Sequence, residues 1–316
     1  MLNAFKIGHV TDDINGTGVT VIVAKKSGAV AGVCVRGAAP ATRETDLLAD
    51  GKMIRQINAV VLSGGSAFGL EAACGVVDWL YEQHIGYNAG RYLVPIVAGA
   101  SLYDLEYKNF AFPNKKAGYD ACASASIDNF ECGSIGAGTG ATISKLFGII
   151  TAVKSGIGIQ LYSLNGLEIA VIVAVNALGD VVKDGNIILG AKSEMGEFID
   201  CRNILSAGSL PLQQKNTTIG CVITNAVITK EEANILASLS HDGFALALSP
   251  AHTMFDGDAM FVMSSCEKNF EFNILTALIP SLTAQAIQSV ANTSQPITHK
   301  VNNAIFSLFK KAFRRK

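Results

Sequence analysis

An α+β fold is what this 316-residue chain predicts, and three observations predict it. Short apolar runs rich in β-branched residues recur between glycine-containing or polar breakers and read as strands. Longer stretches with apolar residues at helical spacing are interspersed with them. Hydrophobic residues make up 49% and charged ones only 16%, so much of the chain belongs in a core or between subunits. The length allows one large domain or two. A formal net charge of −1 leaves no basic footprint for nucleic acid. The seven cysteines, at 34, 74, 122, 132, 201, 221 and 266, are dispersed and form no CxxC pair. They read as reduced, buried thiols, not as a disulfide framework or a zinc site, and neither metal nor cofactor is expected. The start of the chain lacks the apolar core of a signal peptide, and no apolar run reaches the roughly 20 residues of a membrane span. A cytoplasmic protein is the expectation.

In order, Gly18–Ala24 and Ala29–Arg36 read as two strands joined by Lys25-Lys26-Ser27-Gly28, a hairpin signal. Residues 37–46 form a structured loop. Asn58–Leu70 reads as strand, small-residue turn and helix start, with Leu70, Cys74, Val77 and Leu80 or Tyr81 on one helical face. The Gly64-Gly65 turn either presents N–H groups to an anion or carbonyl oxygen or serves only backbone clearance. Val94–Val97 and Leu102–Leu105 are further short elements. Gly133–Ala141 is dense in glycine but is neither GxGxxG nor a P-loop. Lys145 follows it among apolar and small residues; if buried, its ammonium needs a carboxylate or oxyanion partner.

Gly156–Gln160 and Glu168–Ala177 read as a hairpin, with Asn176 at the end of its second strand serving turn chemistry or an oxyanion hole. Residues 180–215 read as a linker. Thr217 then stands where this linker meets the apolar run Ile219–Ala226. A cut at Asn216-Thr217 would give Thr217 both a hydroxyl nucleophile and an α-amine able to act as its base. Thr229 to Glu232 is a capping box opening a helix toward Ala247. Asp256-Gly257-Asp258 enters another apolar strand, and Asp258 at its mouth requires a cationic partner. Phe272–Val290 reads as a helix with an apolar face. Residues 292–316 are a separate basic amphipathic tail, either a solubilising end or a weak membrane-surface contact.

Taken together, these segments resemble the DmpA-like family, the L-aminopeptidase D-amidase/D-esterases with their β-peptidyl aminopeptidase and nylon-oligomer hydrolase members. The resemblance is carried by Val35-Arg36-Gly37, Pro40–Leu48, Leu62–Leu70, Gly136–Ala141, Val173–Ala177, Asn216–Gly220, His252-Thr253 and Phe255–Asp258. It spans residues 6 to 292 in consistent order and implies an αββα sandwich of the N-terminal-nucleophile kind. It further implies one autoprocessed domain over 1–291, cut into an α chain of 1–216 and a β chain of 217–316. Assembly as a tetramer of αβ units is implied as well. Carried over, Thr217 is the nucleophile and Asn216 the residue whose carbonyl it attacks. Asp256 and Asp258 are the acidic pair, Lys145 and Asn176 polarise and hold the oxyanion, and Tyr103 is an active-site tyrosine. The implied substrate is a small peptide or amide, an ω-amino-acid oligomer among the possibilities. Outside this resemblance, a glycine-rich binding module or an oligomeric scaffold that never cleaves would fit the same residues.

Overall fold

The computed structural model describes residues 2–25, 27–208 and 215–293. The expected tail helix and part of the expected linker, residues 209–214, lie outside the described residues.

Strands covered on both faces read as continuous apolar runs, and the chain builds two sheets around such strands. Thr17–Ala24 is buried along its whole length, as is Ile219–Ala226. The first sheet runs in the order Phe5–Asp12, Thr17–Ala24, Ala59–Ser63, Val97–Ser101, Thr42–Arg43. The second runs Ile157–Leu164, Leu167–Ala174, Ile219–Ala226, Ala259–Lys268, Ala29–Val35, Gln56–Ile57. Each has one parallel pair, Ala59–Ser63 with Val97–Ser101 and Ile219–Ala226 with Ala259–Lys268. Such pairs require a crossover, which the helices Ala72–Glu82 and Lys230–Ala247 supply.

Because side chains alternate along a strand, each sheet has two apolar faces, and three clusters result. Ile22, Val60 and Leu62 of the first sheet meet Ile172, Cys221 and Phe261 of the second between the sheets. Val19, Val21 and Val61 face Val76 and Leu80 on the outer side of the first sheet. Val171, Val222 and Val262 face Leu236, Phe244 and Ile279 on the outer side of the second. The layers are helices, sheet, sheet, helices: the expected αββα sandwich.

Several local expectations hold. Ile157–Leu164 and Leu167–Ala174 form the hairpin, and Asn225 fastens its turn by accepting from the Glu168 N–H and donating to the Gly166 carbonyl. Thr229 and Glu232 close a reciprocal capping box at the start of Lys230–Ala247.

Others are corrected. Thr17–Ala24 and Ala29–Val35 are not a hairpin: the two strands belong to different sheets. Both strands are apolar enough to demand neighbours on each side, which a local pairing would not provide. On the Ala72–Glu82 helix Leu80 is buried as expected, but the other buried residues are Ala72, Ala73, Gly75 and Val76, not Cys74 or Val77, and Tyr81 is 57% exposed. Ala72 and Gly75 touch the backbone of the neighbouring Lys115–Ala123 helix, so the packed face is made of small residues that carry little hydrophobic signal. The stretch after residue 180 is not all linker. Asp180–Lys183 and Asn186–Leu189 pair in a small sheet with Leu248–Ser249, and Asp200 caps the helix Cys201–Ser206. All seven cysteines are free; Cys122, Cys201 and Cys221 are buried, Cys34, Cys74 and Cys266 half-buried, and Cys132 exposed. Finally, Phe272–Asn292 does have the length and mean hydropathy, 1.4, of a membrane span. Its Leu275, Ile279, Ala286 and Ile287 are spent on the second sheet's outer cluster.

Candidate active site

The register of the second sheet assembles the site. Ala174 pairs with Ile219 and Ile219 with Ala259, so three neighbouring strands have ends side by side. The residues just beyond those ends are Asn176, Thr217 with Thr218, and Asp256 to Asp258. Tyr103 and Asp104 arrive from the end of Val97–Ser101 in the first sheet. Asn176, Lys145, Asn216, Thr217, Asp256 and Asp258 are all buried, while Tyr103 is half-buried.

Thr217 donates its backbone N–H to the Asn176 carbonyl at 3.0 Å. Lys145 Nζ donates to that same carbonyl at 3.1 Å and to the Asn176 side-chain oxygen at 2.6 Å. The Lys145 ammonium and the Thr217 nitrogen therefore share an acceptor. Asn176 in turn donates to the Tyr103 carbonyl at 2.9 Å and accepts the Thr142 N–H at 3.0 Å, which holds its amide plane. The Asn216 carbonyl receives the Gly257 N–H at 3.0 Å and the Thr217 hydroxyl. A Cβ at Gly257 would stand 2.7 Å from Thr217 Oγ1 and 2.6 Å from the Ala39 carbonyl, so this close approach requires glycine.

The acidic pair is braced separately. Asp256 accepts from the Thr253 N–H at 2.8 Å and hydroxyl at 2.6 Å. Asp258 accepts the Thr218 N–H at 2.7 Å and faces His252 Nδ1 at 2.7 Å. The direct side-chain contact of Asp258, for which a cationic partner was expected, is His252. Burial pushes the Asp256 carboxyl up to about 6, with the Asp258 charge adding to the effect. Burial lowers the Lys145 ammonium to about 7 against the opposing pull of Asp256, Asp104, Glu106 and Asp258.

Sequence reasoning passed over four participants. Asp104 is buried, accepts the Gly65 N–H at 2.7 Å and the Thr17 hydroxyl at 2.8 Å, and is raised by burial to about 6. The anion received by the Gly64-Gly65 turn is thus the protein's own carboxylate. His252, four residues before the acidic pair, helped to carry the family resemblance but was given no role of its own. Glu106 accepts the Tyr103 hydroxyl at 2.8 Å, and Lys215 Nζ lies 3.2 Å from that hydroxyl and 3.6 Å from the Glu106 carboxylate. No local pattern marked either of the last two. Around Asn216 and Thr217, several buried polar atoms lack a protein partner among the described residues: both Asn216 side-chain atoms, Thr218 Oγ1 and Asp256 Oδ1. Such a concentration of unpaired polar atoms belongs where substrate or water is handled.

The model of peptidase family S58 matches residues 3–312. An uncharacterized aminopeptidase of Mycobacterium tuberculosis is 36% identical over 263 residues, covering 78% of this chain and 73% of its own. A 6-aminohexanoate-oligomer endohydrolase of Paenarthrobacter ureafaciens is 29% identical over 218 residues, 66% of this chain and 61% of that one. Among solved structures, the L-aminopeptidase D-Ala-esterase/amidase of Ochrobactrum anthropi, described as a variant of the Ntn hydrolase fold, superposes with a TM-score of 0.68. It does so at 16% identity over 98% of this chain and 93% of its own. A β-aminopeptidase of Burkholderia sp. gives a TM-score of 0.66 at 16% identity, over 100% and 96%. A match over nearly the whole chain leaves one conclusion: this protein belongs to peptidase family S58 and is a hydrolase of peptide or amide bonds.

Proposed function

We propose that the protein is a self-cleaving N-terminal-nucleophile amide hydrolase that works through an acyl-enzyme on Thr217. The observation that carries this reading is the meeting of Lys145 Nζ and the Thr217 nitrogen on the Asn176 carbonyl, beside an Asn216 carbonyl polarised by the Gly257 N–H. In self-cleavage the Thr217 oxygen adds to the Asn216 carbonyl carbon and the C–N bond breaks. The hydroxyl proton passes to the departing nitrogen, leaving an ester. Water then hydrolyses that ester, returning the hydroxyl and leaving a carboxylate on Asn216, while Thr217 keeps the α-amine that the shift released. An ordinary α-amine has a pKa of about 7.7–8.0, so part of it is neutral near pH 7 and able to act as general base.

In turnover the same oxygen attacks a substrate amide, and water resolves the acyl-enzyme. Asn176 and Lys145 stabilise the charge that develops on the carbonyl oxygen; one such donor is typically worth about 2.7–4 kcal/mol. Asp258 fixes the Thr217-Thr218 segment through the Thr218 N–H, and Asp256 lends its charge to Lys145. Tyr103 orients Asn176 through its carbonyl. Substrates are small peptides or amides, and the enzyme works as a cytoplasmic homo-oligomer of αβ units.

Intact mass spectrometry of the purified protein tests the mechanism. The expected species are residues 1–216 and 217–316, with Thr217→Ala remaining one inactive chain and Thr218→Ala still cleaving. A fragment starting at Thr218, or a fully active protein left in one piece, overturns it.

A further inference from the structure

Lys145 is held by more than its bonds to Asn176. The stretch 176–180 runs beside residues 144 and 145 and holds them position by position. Asn176 takes the ammonium, the Leu178 carbonyl accepts the Lys145 N–H at 3.1 Å, and the Gly179 carbonyl accepts the Ser144 N–H at 3.1 Å. Asp180 completes the series by accepting the Ser144 hydroxyl. Ser144, the residue immediately before Lys145, has a φ of 56°, in the left-handed region. A residue with a Cβ persists there only when its surroundings over-determine it. The two backbone bonds and the Asp180 carboxylate supply that constraint.

Asp180 is itself buried, and burial pushes its carboxyl above the ordinary range against the pull of its donors. An acid is a costly residue to bury unless its oxygens are used. Both are. The oxygen that does not hold Ser144 accepts the Cys201 N–H at 2.8 Å. On the other side, a Cβ at Gly190 would stand 2.7 Å from the oxygen that does hold Ser144. The carboxylate is therefore fixed from two directions before it meets the Ser144 hydroxyl. We infer that Asp180 is a positioning residue for Lys145: through the Ser144 hydroxyl it fixes the left-handed turn that aims the Lys145 ammonium at Asn176. The inference rests on the reading of Lys145 as a participant in the reaction. Because Asp180 acts through Lys145, its effect on rate exists only while Lys145 is present.

The test is a double-mutant cycle on the rate of self-cleavage, followed on denaturing gels from the freshly made full chain. Ser144→Ala deletes the hydroxyl and leaves Asp180 bonded to Cys201, whereas Asp180→Ala deletes the acceptor. Each is made alone and together with Lys145→Ala. Beside an intact Lys145, either change should slow cleavage about tenfold, within the coupling seen between residues of one hydrogen-bond network. In the Lys145→Ala background, neither should change the rate by more than about twofold. On an aminoacyl p-nitroanilide, the cleaved Ser144→Ala enzyme should show its loss in kcat, with KM unchanged. Ser144→Gly, which a left-handed turn accepts without strain, keeps the cycle readable should Ser144→Ala or Asp180→Ala fold poorly. Equal slowing in both backgrounds overturns the inference, as does no slowing beside an intact Lys145. Failure of the underlying reading shows separately, as a Lys145→Ala chain that cleaves and turns over at the wild-type rate.

Discussion

Lys145 is the residue at which burial and chemistry meet. Its ammonium is buried among apolar and small neighbours, and two bonds to Asn176 keep it there. Removing it as Lys145→Ala should slow both self-cleavage and turnover at least tenfold, a barrier change of about 1.4 kcal/mol. The far-UV spectrum should stay unchanged, and near-wild-type rates would show that Lys145 takes no part in the chemistry. Asp104 poses a different question, since its bonds to the Gly65 N–H and the Thr17 hydroxyl tie it to the fold. Cβ atoms at Gly64 and Gly140 would come within 2.1 and 2.4 Å of its carboxylate, so the two glycine turns are shaped around it. Its folded pKa of about 6 lies above the ordinary 3.8 because burial disfavours the charge. The folded protein therefore binds the extra proton between those values, and stability contributed below pH 3.8 is lost as pH rises through about 6. Asp104→Asn removes that dependence. Its melting temperature relative to wild type should climb between pH 4 and pH 7, by the equivalent of up to about 3 kcal/mol. Paired thermal melts across that range check this, and a flat difference would mean that Asp104 titrates as an ordinary carboxyl.

At the scale of elements, the Lys230–Ala247 helix does two jobs: it crosses between two parallel strands and covers the second sheet's outer face. Its start is held by the Thr229–Glu232 capping box, formed as the local pattern predicts because a cap involves only neighbours in sequence. Thr229→Ala should cost about 1 kcal/mol by urea denaturation with the catalytic rate unchanged. A loss of activity in step with stability would instead tie this helix start to the site. The pair Thr17–Ala24 and Ala29–Val35 shows the opposite behaviour. Two apolar strands separated by a few polar residues look like a hairpin, but whether they pair with each other is settled by which partners can cover them. Here each strand found better partners in a different sheet.

For the molecule as a whole, the cut expected at Asn216-Thr217 falls where its effect on cohesion is small. Ile219–Ala226, just after it, is paired on one side with Leu167–Ala174 from before it and on the other with Ala259–Lys268 from after it. Strands from both fragments interleave again where Ala259–Lys268 pairs with Ala29–Val35. The cleaved chains should therefore elute together in native size-exclusion chromatography and separate only in denaturant. Dissociation in plain buffer would mean that the shared sheet does not hold them.

The sequence by itself determined the order and kind of most elements and pointed to Thr217, Asn176, Lys145 and the Asp256–Asp258 pair as the residues to examine. Periodicity, caps and the breaker-to-strand junction are properties of neighbours, and several ordered segments together sufficed to mark a family resemblance. Only the tertiary structure decided which strands share a sheet, how the Ala72–Glu82 helix is turned, and what surrounds the candidate nucleophile. Thr17 meets Asp104 across 87 positions and Tyr103 meets Lys215 across 112, and no local signal connects either pair. The physical reason is that a buried charge is defined by what closes over it, and here two sheets close over residues that sequence keeps far apart.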